Sequence, residues 1–201
     1  MKKETLKVPF NLPPIIGEEQ NEIIKCLTNN RLSGDGPYTK SCEEFLEKRY
    51  KIKKVLLTPS CTAALEMCAL LLDIKEGDEI IMPSYTFVST ANAFALRGAK
   101  IIFVDIEPKT MNINISKIEG AISIKTKGIV IVHYAGVSCN INDLLILSKK
   151  YNIPIIEDAA QGIESTYNNQ FLGTIGHLGT VSFHEPKNIT SGGEGGALYI
   201  N

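Results

Sequence analysis

The spacing of apolar positions changes character near Lys54. Before it, Ile23, Ile24 and Leu27 fall at helical spacing within residues 18–29, and a second helix runs through Cys42, Phe45, Leu46 and Arg49. From Lys54 onward, short runs rich in Val and Ile alternate with longer amphipathic stretches. The runs predict strands at Val55–Leu57, Glu79–Met82, Lys100–Val104, Gly128–His133, Pro154–Glu157, Thr180–Phe183 and Gly196–Ile200. Helices are expected between them at Thr62–Leu72, Phe87–Arg97, Ile115–Ile122 and Asn142–Tyr151. In the last, Leu144, Leu145 and Leu147 form an apolar stripe, and Lys149 and Lys150 complement the helix C-terminus. Such alternation predicts an α/β fold, a mostly parallel seven-stranded sheet covered by helices on both faces. The last two strands are joined by a Gly-rich loop with no helix, so the final strand is expected to run antiparallel. Pro9, Pro13, Pro14 and Gly17 keep residues 1–17 irregular, and Ser33-Gly-Asp-Gly-Pro37 reads as a loop.

Composition narrows the function. Hydrophobic residues make up 44% of the 201, enough for a substantial core, and the formal net charge of -1 argues against a nucleic-acid coat. The basic cluster Lys48, Arg49, Lys51, Lys53 and Lys54 is read as a solvated helix end. Met1 to Phe10 has no apolar stretch of the kind a signal peptide needs, and no segment approaches the ~20 apolar residues of a membrane span. The five cysteines are odd in number and contain no Cys-x-x-Cys, so a reducing, cytoplasmic setting without metal is expected. Cys61 is read either as a reactive thiol at a helix start or, in preference, as ordinary packing.

In parallel α/β sheets, ligands gather beyond the carboxyl ends of the strands. Thr58-Pro-Ser-Cys-Thr62 follows the first strand and opens a helix, which suits either an anion or plain N-capping by Ser60 or Thr62. Pro83-Ser-Tyr-Thr-Phe-Val-Ser-Thr90 follows the second and puts Tyr85 and Phe87 at the sheet's mouth, where an aromatic can stack on a flat ring or simply belong to the core. Glu157-Asp158-Ala-Ala-Gln161 ends an apolar strand with two acids that are costly to bury alone. A carboxylate there can hold a cationic ring nitrogen and Gln161 can donate to a ring oxygen; a helix cap or surface acid is the plainer alternative. Lys187 follows the next strand and precedes Ser191-Gly-Gly-Glu-Gly-Gly196, a setting for a desolvated amine nucleophile. The glycines lack both nucleotide-loop orders, G-x-x-x-x-G-K-[ST] and G-x-G-x-x-G, and are read as a tight turn. A phosphate site, a ring stacker, an acid for a ring nitrogen and an amine are together what a pyridoxal-5′-phosphate (PLP) pocket needs.

Thr58-Pro-Ser-Cys-Thr-Ala-Ala-Leu, Pro83-Ser-Tyr-Thr-Phe-Val-Ser-Thr, His133-Tyr-Ala-Gly, Glu157-Asp-Ala-Ala-Gln and Ser182-Phe-His-x-x-Lys187-Asn resemble, in this order, the DegT-type sugar aminotransferases of the type I PLP fold. The resemblance runs from about Val8 to the last residue. Pro9-Phe-Asn, Leu32-Ser-Gly-Asp-Gly and Thr110-Met-Asn-Ile bring the chain nearest to members that make 4-amino-4,6-dideoxygalactose. The resemblance implies a three-layer α/β/α sandwich, with an arm and helices over residues 1–50 and a PLP-binding large domain from 51 to 201. A small C-terminal domain, present in a family about twice as long, is expected to be missing, so a fragment is expected. It further implies that Lys187 holds PLP covalently, that Asp158 pairs with the pyridine nitrogen, that Gln161 contacts the ring or its 3-hydroxyl, and that Phe87 stacks on the ring. Thr62 with the backbone around Cys61 and Ala63, and Ser182, are implied to hold the phosphate. His184 lies in the motif without a role. The implied substrates are an amino-acid donor, with glutamate the expected one, and a nucleotide-linked 4-keto-6-deoxy sugar, with a homodimer as the assembly. At this stage a binding or sensor protein on the same fold, and an inactive fragment, stay open as alternatives.

Overall fold

The computed structural model describes residues 8, 11–30 and 32–201. Pro9 and Phe10 of the N-terminal motif lie outside the described residues. The strands are β1 (Lys54–Thr58), β2 (Glu79–Pro83), β3 (Lys100–Val104), β4 (Thr126–Val132), β5 (Ile155–Asp158), β6 (Thr166–Tyr167), β7 (Gln170–Phe171), β8 (Leu178–Ser182) and β9 (Gly196–Ile200). The helices are α1 (Glu19–Thr28), α2 (Pro37–Tyr50), α3 (Cys61–Leu71), α4 (Val88–Ala95) and α5 (Ile141–Tyr151).

Seven strands form one sheet in the order β1-β9-β8-β5-β4-β2-β3. Only β9 runs against its neighbours, pairing antiparallel with both β1 and β8, as its helix-free connection requires. Successive residues of a strand face opposite sides, and here both sides are apolar. Val55, Ile81, Ile129, Ile131, Ile155, Val181 and Tyr199 meet Leu46 and Tyr50 of α2 and Ile141 and Leu144 of α5 on one face. Ile80, Met82, Val130, Ile156 and Leu198 meet Ala64, Leu65 and Cys68 of α3 and Ala93 and Phe94 of α4 on the other. The result is a three-layer α/β/α sandwich.

The exposed edge of β1 is not left free. Glu47 of α2 accepts from the Val55 N–H at 3.0 Å and Glu43 from the Leu57 N–H at 3.0 Å, which occupies donors that would otherwise template another strand. Two residues of the basic cluster beside this edge are paired: Lys54 reaches Glu47 at 2.9 Å, and Arg49 meets Glu164 at 2.5 Å.

Two local readings are corrected. Ile115–Ile122 is not one α-helix; it forms two 3₁₀ turns, Ile115–Lys117 and Glu119–Ala121. Gly120 interrupts a short segment dense in β-branched Ile, and Ile118 is held in the core. The hairpin β6–β7 was not expected from the pattern. Its turn is Asn168-Asn169, both at positive φ (49° and 63°), a conformation Asn tolerates. Helix α1 forms as expected but buries none of its residues. Among the described residues no helix is long and apolar enough to cross a membrane.

Candidate functional site

Chain order and sheet order diverge at β2, whose neighbours are β3 on one side and β4 on the other. Connections leave in opposite directions there, and the carboxyl ends of the adjoining strands open a crevice. A cavity of about 700 Å³ occupies it. Cys61, Thr62, Phe87, Asp158, Gln161, Ser182 and Lys187 all line this cavity. The structure therefore brings seven of the eight sequence-derived candidates to one place. Ala63 stands behind the wall, and its N–H donates to Ser60 Oγ at 3.1 Å. Ser60 is thus the N-cap of α3 and lines the cavity together with Cys61 and Thr62.

Each group is aimed by its local backbone. Asp158 ends β5 between the last residue of β4 and Thr180 of β8. It is 5% exposed. Its Oδ1 accepts the Ala160 N–H at 3.2 Å and its Oδ2 the Thr90 hydroxyl at 2.8 Å. A carboxylate has about four acceptor sites, so capacity remains for a donor in the cavity. Burial pushes this carboxyl upward from its ordinary range, opposed first by the Thr90 bond, then by the Ala160 N–H and by His133 and Lys187 nearby. Gln161 Oε1 accepts the Ala135 N–H at 2.6 Å, which leaves the amide NH₂ free to donate. Ser182 Oγ accepts the His184 N–H at 3.3 Å and keeps its own proton for the cavity. Phe87 occupies the N-cap position of α4 and is 72% exposed at the cavity's lip.

Lys187 sits on the loop between β8 and β9. That loop is closed on itself by Phe183 N–H to Gly195 O at 2.8 Å and Glu185 N–H to Gly193 O at 2.8 Å. Asn11 Nδ2 donates to the Pro186 carbonyl at 2.9 Å, tying the N-terminal segment to the residue before the lysine. His184 and Glu194 also line the cavity and approach each other at 3.3 Å. Gly196 starts β9 against the first turn of α3. A Cβ there would stand 2.5 Å from the Cys61 N, so only glycine permits this close approach.

Cys61 is packed rather than reactive. Burial drives its thiol far upward, with the Asp158 charge adding to the effect, and Cys139 is pushed to about 12 for the same first reason.

Four lining residues, Thr86, Ser89, Thr90 and Tyr134, were given no individual role from sequence. Thr62 donates to Ser89 at 2.9 Å, and Thr86 and Thr90 pair at 2.8 Å. Tyr85 and Tyr134 pair through their hydroxyls at 3.0 Å on the cavity's rim. The available signal was the hydroxyl-rich run Thr86 to Thr90, whose i, i+3 and i+4 spacing puts three hydroxyls on one helical face.

Together the lining offers hydroxyl donors for an anion, an open aromatic face, a buried acid, an amide donor and one amine. Chemically, such a lining can grip a flat, phosphorylated, cationic ring. The model of the DegT/DnrJ/EryC1/StrS aminotransferase family matches residues 13–201, and the chain belongs to that family. It is 41% identical over 199 residues to an uncharacterized protein of Methanocaldococcus jannaschii, covering 98% of this chain and 50% of that one. It is 34% identical over 194 residues to the GDP-perosamine synthase of Escherichia coli O157:H7, covering 96% and 53%. A Streptococcus pneumoniae protein assigned as a sugar aminotransferase, solved in PLP and PMP forms, superposes with a TM-score of 0.88 in each. Its PLP form is 32% identical and is matched over 96% of this chain and 53% of its own. The chain spans about half the length of the curated relatives it matches.

Proposed function

We propose that this chain is the PLP-holding part of an aminotransferase acting on a nucleotide-linked sugar. The amino group comes from an amino acid, with glutamate the expected donor, and goes to the keto carbon of a 4-keto-6-deoxy sugar. The product is a 4-amino-4,6-dideoxy sugar for cell-surface polysaccharide, with dTDP-4-amino-4,6-dideoxygalactose the specific expectation from the Thr110-Met-Asn-Ile and Leu32-Ser-Gly-Asp-Gly motifs. The observation that carries the reading is that Lys187, Asp158, Gln161 and Phe87 line a single cavity with the hydroxyls of Thr62 and Ser182.

PLP fits what the lining offers. Thr62, Ser182 and the backbone near Cys61 hold the phosphate at the start of α3, where free N–H groups favour an anion. Phe87 would cover one ring face, Gln161 would donate to the ring oxygen, and Asp158 would accept from the ring nitrogen. When bound, the cofactor supplies an electron sink for the carbon that loses or gains a proton. Lys187 Nζ would hold the cofactor covalently at rest. Once freed, the Lys187 amine would remain in the cavity as the group placed to hold and move a proton, a role favoured by position. Residues 51–201 are proposed as the cofactor domain and 1–50 as its arm. A reducing cytoplasm suits the five unpaired cysteines.

Borohydride treatment in the presence of PLP is expected to fix a pyridoxyl group on Lys187, read by peptide mass mapping. Label on another lysine, or none on folded chain, overturns the assignment. Incubation with glutamate and either dTDP- or GDP-linked keto sugar then identifies the substrate by its product. A homodimer is the proposed assembly, supported by the apolar Ile23, Ile24 and Leu27 left exposed on α1. Sedimentation is expected to give twice the chain mass, and Ile24→Glu with Leu27→Glu to shift it toward the monomer; a wild-type monomer at micromolar concentration refutes it.

A further inference from the structure

A hydroxyl has one proton, and the position of Thr90 decides where its proton goes. Thr90 Oγ1 lies 2.8 Å from Asp158 Oδ2 and 2.8 Å from Thr86 Oγ1. An ionised carboxylate can only accept, so Thr90 must donate to Asp158. Thr90 then has only lone pairs left for Thr86, and Thr86 must be the donor of that second bond. The two threonines form a one-way relay that ends on the acid. Thr86 sits just before α4 and Thr90 one turn on, so the helix start sets their spacing. Thr90 has no exposed surface.

We propose that Thr90, supplied by Thr86, is the positioning residue that keeps Asp158 ionised and aimed into the cavity. The proposal rests on the reading of Asp158 as partner of a cationic ring nitrogen. A neutral acid would offer that nitrogen far less than a carboxylate does. Asp158 lies in an apolar strand, and burial alone favours its neutral form; Thr90 provides the largest opposing influence, ahead of the Ala160 N–H, His133 and Lys187. A hydrogen bond to a charged group in a dry site is stronger than one between neutral groups, and the Thr86 bond polarises it further. The Ala160 N–H fixes the other oxygen, so the two bonds together set the plane of the carboxyl.

The test compares Thr90→Val, which removes the hydroxyl at nearly constant shape, with Thr90→Ser, which keeps it. PLP affinity from absorbance titration is expected to fall roughly ten- to a hundredfold in Thr90→Val. It is expected to stay within about threefold in Thr90→Ser, with a smaller loss in Thr86→Val than in Thr90→Val. Carbon-13 NMR of the Asp158 carboxyl in cofactor-free chain is expected to show its titration moving to higher pH in Thr90→Val and not in Thr90→Ser. An unmoved carboxyl in Thr90→Val overturns the inference, as does a Thr90→Ser variant as impaired as Thr90→Val. Should Thr90→Val not fold, the carboxyl titration of Thr86→Val decides, with no upward movement counting against the relay. The NMR readout needs no cofactor, so a wild-type chain that fails to bind PLP sinks the functional reading and leaves this inference to stand or fall on its own.

Discussion

Glu157→Ala is expected to destabilise the chain by about 3–5 kcal/mol, the cost of breaking a buried polar network by removing one partner. Glu157 has no exposed surface, yet both its oxygens are occupied. Oε2 accepts from His133 Nε2 at 2.8 Å and from the Gly173 N–H at 2.9 Å; Oε1 accepts the Ile175 N–H at 2.7 Å and the Gly176 N–H at 2.5 Å. His133 Nδ1 accepts the Cys139 N–H at 3.3 Å, so the ring's proton sits on Nε2 and points at the acid. One carboxylate thus ties the end of β4 to the loop that leads into β8. Alanine would orphan three backbone donors and an imidazole in a dry interior, each costing about 1–3 kcal/mol before relaxation. Urea unfolding of wild type and variant measures the difference. A loss under about 1 kcal/mol would mean that the loop is held mainly by its apolar contacts, Leu172 above all. Because Asp158 is the next residue, the same variant is expected to loosen the cavity.

Which parts of this could be read from the sequence follows from how local each cause is. The strands of the sheet announce themselves because both faces are buried, so runs such as Ile80-Ile81-Met82 and Ile129-Val130-Ile131 are apolar without interruption. The antiparallel β9 was legible from the missing crossover helix. The hairpin at Asn168-Asn169 was not, because two-residue strands carry no periodicity, although two adjacent residues that tolerate positive φ were a usable sign. Ile115–Ile122 misled because its apolar spacing is helical while Gly120 and the branched side chains resist a helix. The site was legible wherever chemistry sits at a strand's carboxyl end, as with Asp158 and Lys187. It was illegible where a role depends on distant register: Thr90 and Asp158 are 68 positions apart. Likewise Glu157 could be recognised as an acid that needs partners, but the loop N–H groups that satisfy it become visible only once β5 and the loop before β8 are placed side by side.

Asp158→Asn is expected to strengthen the cofactor-free fold at neutral pH while weakening PLP binding by about 2–5 kcal/mol, tens to thousands of fold. The two effects have one origin. Burial raises this carboxyl in the folded chain above its ordinary 3.8. Below that value the acid is neutral whether the chain is folded or not, and its contribution to stability is fully present. As pH rises through the folded value, the unfolded chain releases its proton more readily, and that contribution is lost. Asparagine never ionises, so the gain of the variant is absent well below 3.8, grows above it and persists at neutrality. The relay accommodates the change: an Asn NH₂ can donate to Thr90, which then donates to Thr86, while the Asn oxygen keeps the Ala160 N–H. What Asn cannot do is neutralise a cationic ring nitrogen, so the cavity loses the charge that PLP is proposed to meet. Urea unfolding at acid and neutral pH, with absorbance titration of PLP, measures both sides. Parallel stability curves for wild type and Asp158→Asn would show that the buried acid imposes no strain. Unchanged PLP affinity would remove Asp158 from the cofactor's partners. Seen together, the opposite signs are the expected mark of a group kept for a ligand at the expense of the fold around it.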